Sequence, residues 1–254
     1  MPDDIYADPI PAATLVLFRA RGSAPPDLLI VERAAAMAFA GGALVFPGGR
    51  VDAEDRALAL RDLPGDEHGA ARIAAIREMI EEAGIAVGLT PMPDAVQLAA
   101  IRAALHHGAP LAGLLDAHGL RLDPAALTPF ARWCPRHANM RIFDTMFFVA
   151  RLPEGAAEPE VDATENSRVF WASAQAVLDE ADGGRATIIF PTRRNLERLA
   201  RFATFEEAIA DAARYGTPMI TPWTEARDGT DYLCIPEDVG YPVTAEPLSG
   251  ARRA

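Results

Sequence analysis

Arg77-Glu78-Met79-Ile80-Glu81-Glu82-Ala83-Gly84-Ile85 is the stretch from which the rest of the chain can be ordered. On a helix, at about 100° per residue, Glu78, Glu81 and Glu82 share one face, with Arg77 at its edge. Ile73, Ile76, Met79, Ile80 and Ala83 fall on the opposite face, suited to a core. Carboxylates this close repel one another. A divalent cation would relieve the repulsion, and hard oxygen donors suit Mg²⁺ or Mn²⁺. Gly84 supplies the left-handed residue that ends such a helix. Taken alone, an Arg-Glu-X-X-Glu-Glu face is equally well read as solvated helix surface, so its surroundings decide.

Upstream, Phe46-Pro47-Gly48-Gly49-Arg50-Val51-Asp52 reads as a strand running into a glycine loop. Here the chain resembles the Nudix hydrolase family. The family signature is Gly, five residues, Glu, seven residues, then Arg-Glu-apolar-X-Glu-Glu-X-Gly-apolar. Arg77 through Ile85 matches every fixed position of its second half. Gly49 opens the first half, and Asp55 stands where Glu is usual. The spacing departs, with 21 residues between Asp55 and Arg77, so an insertion lies within Asp55–Gly69. Further markers are Glu32-Arg33, Arg132-Trp133-Cys134-Pro135, Phe143 to Phe148, Glu165 before Trp171, and Pro191-Thr192. Together they are similar to the coenzyme A diphosphatase-like branch, which includes a peroxisomal mammalian enzyme. The carboxyl-terminal Ala-Arg-Arg-Ala is no peroxisomal address, so a cytoplasmic location is expected.

The chain has 254 residues, half of them hydrophobic, enough for one large domain. No apolar run reaches the roughly 20 residues of a membrane span, and the acidic start, Met1-Pro2-Asp3-Asp4, lacks a secretory signal. Cys134 and Cys234 lie far apart and read as buried thiols in a reducing compartment. The net charge of −12 disfavours nucleic acid and anionic membranes as partners. All 24 basic residues are arginine, which excludes Schiff-base and P-loop lysine chemistry.

In chain order, Ala12–Arg19 and Asp27–Glu32 read as strands of a hairpin, and Ala35–Gly42 as a small-residue loop before a strand at Leu44–Phe46. Glu54–Leu63 reads as a short helix broken by Pro64-Gly65, with Asp66 as N-cap of the carboxylate helix. Residues 86–130 read as helical, with helices at Asp94–His107 and Leu111–Leu120 and a turn at Asp123–Leu127. Strands follow at Leu127–Pro135, Phe143–Arg151 and Arg168–Ala172, with an acidic loop at Pro153–Thr164. Helices are expected at Ala174–Ala181, Pro191–Ala203 and Phe205–Tyr215, and a last hairpin from Met219–Thr224 and Tyr232–Ile235. Residues 10–243 thus form one domain with a helical insertion near 90–127, between loose termini at 1–9 and 244–254. That insertion is better explained as a packing appendage than as a lid.

The resemblance implies an α/β/α sandwich with a mixed sheet and an inserted helical subdomain. It implies Mg²⁺- or Mn²⁺-dependent hydrolysis of the pyrophosphate bond in a nucleoside diphosphate linked to another moiety. Coenzyme A or its thioesters lead as substrate, with nucleotide sugars, dinucleotides or damaged nucleotides as alternatives. A non-catalytic ligand-sensing domain is the rival of another class, and a homodimer is compatible with either. Metal ligands are expected at Glu78, Glu81, Glu82 and the Gly48 or Gly49 carbonyl, with Arg77 holding a helix carboxylate. Glu165 is the candidate further ligand or base, ahead of Glu160 and Asp162, while Asp55 is expected to support the loop–helix junction. Arg33 and Arg50 are candidates for the substrate phosphates. Arg193-Arg194 would serve a 3′-phosphate or be exposed helix charges. Trp133, Trp171 and Trp223 are expected in the core, and His106-His107 at a helix end, where cations sit well.

Overall fold

The computed structural model describes residues 8–37, 40–135, 141–162 and 164–251. Parts of both expected loose termini, and of the loops at 35–42 and 153–164, therefore lie outside the described residues. The longest strands are β1 (Ile10–Arg21) and β2 (Ala24–Arg33), joined by a tight turn at Gly22-Ser23. Short strands β3 (Leu44–Val45) and β4 (Gly48–Arg50) precede helices α1 (Ala53–Asp62) and α2 (Gly69–Ala83). Next come β5 (Leu89–Thr90), α3 (Ala95–His106), α4 (Leu111–His118), β6 (Arg121–Leu122) and a 3₁₀ turn at Pro124–Ala126. Strands β7 (Thr128–Trp133), β8 (Phe143–Arg151) and β9 (Asn166–Ser173) lead to α5 (Ala174–Asp182), α6 (Phe190–Leu199) and α7 (Phe205–Tyr215). The chain closes with β10 (Met219–Ile220), β11 (Trp223–Arg227), β12 (Thr230–Cys234) and β13 (Ala245–Pro247).

The main sheet is mixed, in the order β10-β7-β8-β1-β2-β3, with β4 on β1 and β9 on β2. Parallel pairing joins β1 to β8 from Ile10↔Phe143 to Phe18↔Arg151. On its other edge β1 pairs antiparallel with β2 near Phe18 and with β4 at Ala12–Thr14. Strands β1 and β2 therefore part on the N-terminal side of Phe18, and β3 and β4 enter the gap between them. The functional cavity opens there.

Side chains alternate across a strand, so the run Leu15-Val16-Leu17-Phe18 feeds two cores. Leu15 and Leu17 pack with Ile73, Ile76, Met79 and Ile80 of α2 and with Met146 and Phe148 of β8. Val16 and Phe18 pack with Phe147 and Val149 and with Leu196 and Leu199 of α6. A strand covered on both faces reads as a continuous apolar run rather than an alternating one. Each fully buried aliphatic side chain contributes roughly 1.5–3 kcal/mol, so α2 is anchored firmly by its inner face.

Four expectations need correction. The N-cap of α2 is His68 rather than Asp66; the Asp66 carboxylate accepts the His68 N–H at 2.9 Å and pairs with Arg72 at 2.9 Å, one turn outside the helix. Residues 86–130 are not uniformly helical, because Leu89–Thr90 pairs with Arg121–Leu122 and closes the base of the helical insertion. The last hairpin is Trp223–Arg227 with Thr230–Cys234, while Met219–Ile220 joins the main sheet parallel to β7. The expected frayed tail begins too early, since Ala245–Pro247 adds a third strand on β12. No helix among the described residues is long and apolar enough to cross a membrane. Cys134 and Cys234 are buried and not disulfide-bonded.

Candidate functional site

Helix α2 carries its carboxylate face into the gap between β1 and β2. Its inner residues Ile73, Ile76, Met79, Ile80 and Ala83 are buried as expected, and Gly84 ends it with φ +66°. The carboxylate face is not a solvated surface: Glu82 is only 3% exposed. Its Oε2 accepts the Gly48 N–H at 2.9 Å, and its Oε1 lies 4.0 Å from Arg33 Nη1.

Arg77 organises the rest. Its Nη1 donates to Glu78 Oε1 and Glu81 Oε2, both at 2.8 Å. Its Nε and Nη2 form a fork on the buried Asp55 carboxylate at 3.1 and 3.0 Å, and Nη2 also donates to the Arg50 carbonyl at 2.9 Å. Asp55 in turn accepts the Asp52 N–H at 2.9 Å and fixes the start of α1. The junction expected of Asp55 is thus built through the arginine, across the insertion that separates the two in sequence.

The glycines permit close approach. The expected glycine loop is a short strand: Gly48 and Gly49 lie opposite Thr14 and Ala13. A Cβ on Gly49 would fall inside the Glu78 carboxylate, and one on Gly48 inside the Ala13 carbonyl. Only a residue without a side chain lets β4 lie this close to both neighbours.

These elements line one cavity of about 670 Å³. Arg33, Gly48, Gly49, Arg50, Arg77, Glu78, Glu81, Glu82 and Glu165 all border it. Glu165 arrives because β9 pairs with β2; its Oε2 lies 3.5 Å from Arg33 Nη2. Asp162 also borders the cavity, but its Oδ1 accepts the N–H groups of Thr164, Glu165 and Asn166 and so folds the loop. Glu160 does not line the cavity; its backbone N–H donates to the Ala83 carbonyl and its carbonyl accepts from Arg102. Arg193 and Arg194 do not line it either. Arg194 is buried and paired with Glu197 and Glu246, and Arg193 pairs with Asp182. They are neither exposed helix charges nor phosphate binders of this cavity.

Several of the branch markers, among them Trp133, Phe143 and Phe147, turn out to line the second half of the cavity, a role the sequence did not assign them. Trp133, Phe143, Phe147, Phe190, Pro222 and Leu233 give that half an apolar wall, and Arg141 adds a cation. Trp133 is in the core as expected, Trp171 is partly buried, and Trp223 is 44% exposed on an edge strand. From the helical insertion only Leu105, His106 and Gly108 reach the cavity. Arg102 of α3 donates to the Glu81 carbonyl at 3.0 Å, so this appendage braces the end of α2.

Burial raises the carboxyl groups of Glu78, Glu81 and Glu82 above their ordinary value. For Glu82 the charge of Glu78 raises it further, while the Gly48 N–H and Arg33 act the other way. For Glu78 the Arg77 charge lowers it and Glu81 raises it. Among the described residues no three His, Cys, Asp or Glu side chains stand in metal-holding geometry, since Arg77 draws Glu78 and Glu81 to itself. The donor set nonetheless suits a hard divalent cation. All donors are oxygen, the buried Glu82 and the partly buried Glu78 and Glu81 line the same cavity, and the Gly49 cradle leaves Glu78 room.

A carboxyl raised in the fold keeps its proton where the unfolded chain has lost it, so its contribution to stability is full below the ordinary value of 4.5 and is lost as pH rises through the folded value. Metal-free protein should lose melting temperature from these groups between about pH 5 and pH 8. Saturating Mg²⁺ should restore about 5–10 °C at the upper end and far less at the lower, because ligands must ionise to bind. Thermal melts with and without Mg²⁺ check this; an equal Mg²⁺ increment at both ends would refute it.

No family model matches the chain, and no curated protein matches it. Among solved structures, the chain is similar to a Nudix hydrolase from Alicyclobacillus acidocaldarius, with 28% identity, coverage of 80% of this chain and 96% of that one, and a TM-score of 0.70. More distant are the Nudix domain of Shewanella oneidensis NrtR, solved with ADP ribose (14% identity, 79% and 92% coverage, TM-score 0.44), and DR0079 from Deinococcus radiodurans (16%, 78% and 88%, TM-score 0.43). At those TM-scores they add nothing to the first. The α/β/α architecture with its mixed sheet is the Nudix fold.

Proposed function

We propose that this chain, a Nudix pyrophosphohydrolase, cleaves the pyrophosphate bond of coenzyme A or an acyl-coenzyme A, giving adenosine 3′,5′-bisphosphate and phosphopantetheine or its acylated form. The observation that carries the chemistry is the convergence of Glu78, Glu81 and Glu82 with Arg77 and Gly48-Gly49 on one cavity wall. Phosphoryl transfer asks a protein mainly for charge neutralisation and in-line placement. Glu78, Glu81, Glu82 and the Gly48 carbonyl would hold Mg²⁺ or Mn²⁺, which when bound supplies neutralisation of the phosphate charge and acidification of water. Arg77 keeps Glu78 and Glu81 side by side and ties both to Asp55. Glu165 is the base candidate nearest Arg33, and Arg33 shields it from Glu82.

The substrate preference rests on the second half of the cavity. An apolar wall beside a charged one suits a molecule with a nucleotide at one end and an uncharged arm at the other. Arg50 and Arg141 are the cations for its phosphates, in place of Arg193 and Arg194. Another nucleotide derivative would use the same charged wall. The ligand-sensing alternative has less support, because all three helix carboxylates are present and face the cavity.

The test is a product assay by mass spectrometry. Purified protein with Mg²⁺ or Mn²⁺ meets coenzyme A, acyl thioesters, dinucleotides and nucleotide sugars. Adenosine 3′,5′-bisphosphate from the coenzyme A compounds alone is the expected result. Cleavage of a different panel member would keep the chemistry and discard the substrate, and no cleavage of any member would discard both.

A further inference from the structure

Residue 166 is where the pairing of β2 with β9 slips. Glu32 faces Arg168 and Arg33 faces Asn166, so Ser167 is an extra residue on β9. Such a bulge re-aims the side chains beside it. Ser167 and Arg168 both lie outside, whereas Asn166 turns inward and is 1% exposed. It lies opposite Arg33, whose Nη1 stands 4.0 Å from Glu82 Oε1, and neither its Nδ2 nor its Oδ1 bonds any group. The Arg33 Nε beside it is also buried and unbonded. Leaving buried polar atoms unpaired destabilises the fold, and a leucine of similar shape would remove that cost. A buried carboxamide kept at this place therefore asks for a function.

We propose that Asn166 is a positioning residue for Glu82, its inward-turned amide fixing the one side of that carboxylate that Gly48 and Arg33 leave unsupported. This rests on the hydrolase reading above. Gly48 N–H holds Oε2 at 2.9 Å, and Arg33 stands off Oε1 at 4.0 Å. Glu78 repels the group from within α2. Without a donor from β9, Glu82 would be free to swing away from Glu78, and the two could not serve one cation together. Outer-shell partners that orient a ligand in this way change metal affinity or activity by roughly 10–100-fold.

The variant is Asn166→Leu, compared with wild type and with Glu82→Gln. Mn²⁺ affinity is measured by electron paramagnetic resonance on substrate-free protein. Melting temperature, kcat and KM are measured with the panel member that wild type cleaves. The expected result is a melting temperature equal to or above wild type, Mn²⁺ affinity and kcat each lower by roughly 10–100-fold, and little change in KM. A merely structural asparagine would give a changed melting temperature with Mn²⁺ affinity and kcat intact, which overturns the proposal while the hydrolase reading stands. Should Asn166→Leu fail to fold, Asn166→Ser is read by the same criteria. Wild type that neither binds Mn²⁺ nor cleaves anything would overturn the hydrolase reading and this proposal with it.

Discussion

Glu82→Gln should lower kcat by roughly 10²–10⁴-fold while leaving the fold intact, and the metal-free protein should melt at the same temperature or higher. The two effects have opposite signs for one reason. Glu82 is the most buried acid lining the cavity, and its charge is disfavoured both by burial and by Glu78. A glutamine has the same shape, can still accept the Gly48 N–H through its amide oxygen, and carries no charge to desolvate. The fold therefore loses a cost, whereas the site loses an anionic oxygen donor that a carboxamide cannot replace at equal strength. Function held at the expense of stability is a common condition of active sites. The measurements are kcat at saturating Mg²⁺ and a thermal melt without metal. Near-normal turnover in the variant would sink the assignment of α2 as the catalytic helix.

Much of this site was legible because its core is local. Glu78, Glu81 and Glu82 lie within two helical turns, so periodicity alone puts them on one face, and the buried inner face follows from the same count. Gly49 was legible through the family resemblance, though not its reason, which is the Glu78 carboxylate it lies against. Where the reading failed, the deciding contacts were long-range. Strand β4 is three residues, two of them glycine, and exists because β1 offers it a partner. Arg194 looked exposed because its partner Glu246 comes from a tail expected to be frayed. Trp133, Phe190 and Leu233 meet at the apolar wall from β7, α6 and β12, and no local pattern announces that meeting. Asn166 owes its inward turn to a bulge, which a two-residue period cannot express.

Arg77→Met should cost about 3–5 kcal/mol of stability, a loss on the order of 10 °C in melting temperature for a chain of this size. The guanidinium forms a two-pronged pair with the carboxylate of Asp55, which is only 2% exposed. Burial alone would lower the proton affinity of Arg77, but the hydrogen bonds to Asp55 and the charges of Glu78, Asp55 and Glu81 raise it well above the ordinary value. It pairs with four carboxylates, those of Asp55, Glu78 and Glu81 at 2.8–3.0 Å and that of Asp52 at 3.7 Å. Methionine keeps much of the arginine stem's packing and deletes the charge, which leaves Asp55 with the Asp52 N–H as its hydrogen bond and frees Glu78 and Glu81 to repel each other. Most of the cost is then a stranded buried charge rather than lost contact area. That distinction is testable: Asp55→Asn in the Arg77→Met background should recover a substantial part of the loss, although Asp55→Asn alone should destabilise the wild type. Denaturant unfolding of the four proteins closes the cycle. If Arg77→Met loses less than about 1 kcal/mol, or if Asp55→Asn makes the double variant worse by its full single-variant effect, the pair is no more than a surface ion pair. The Arg77–Asp55 fork would then not be what joins the first half of the signature to the second across the insertion.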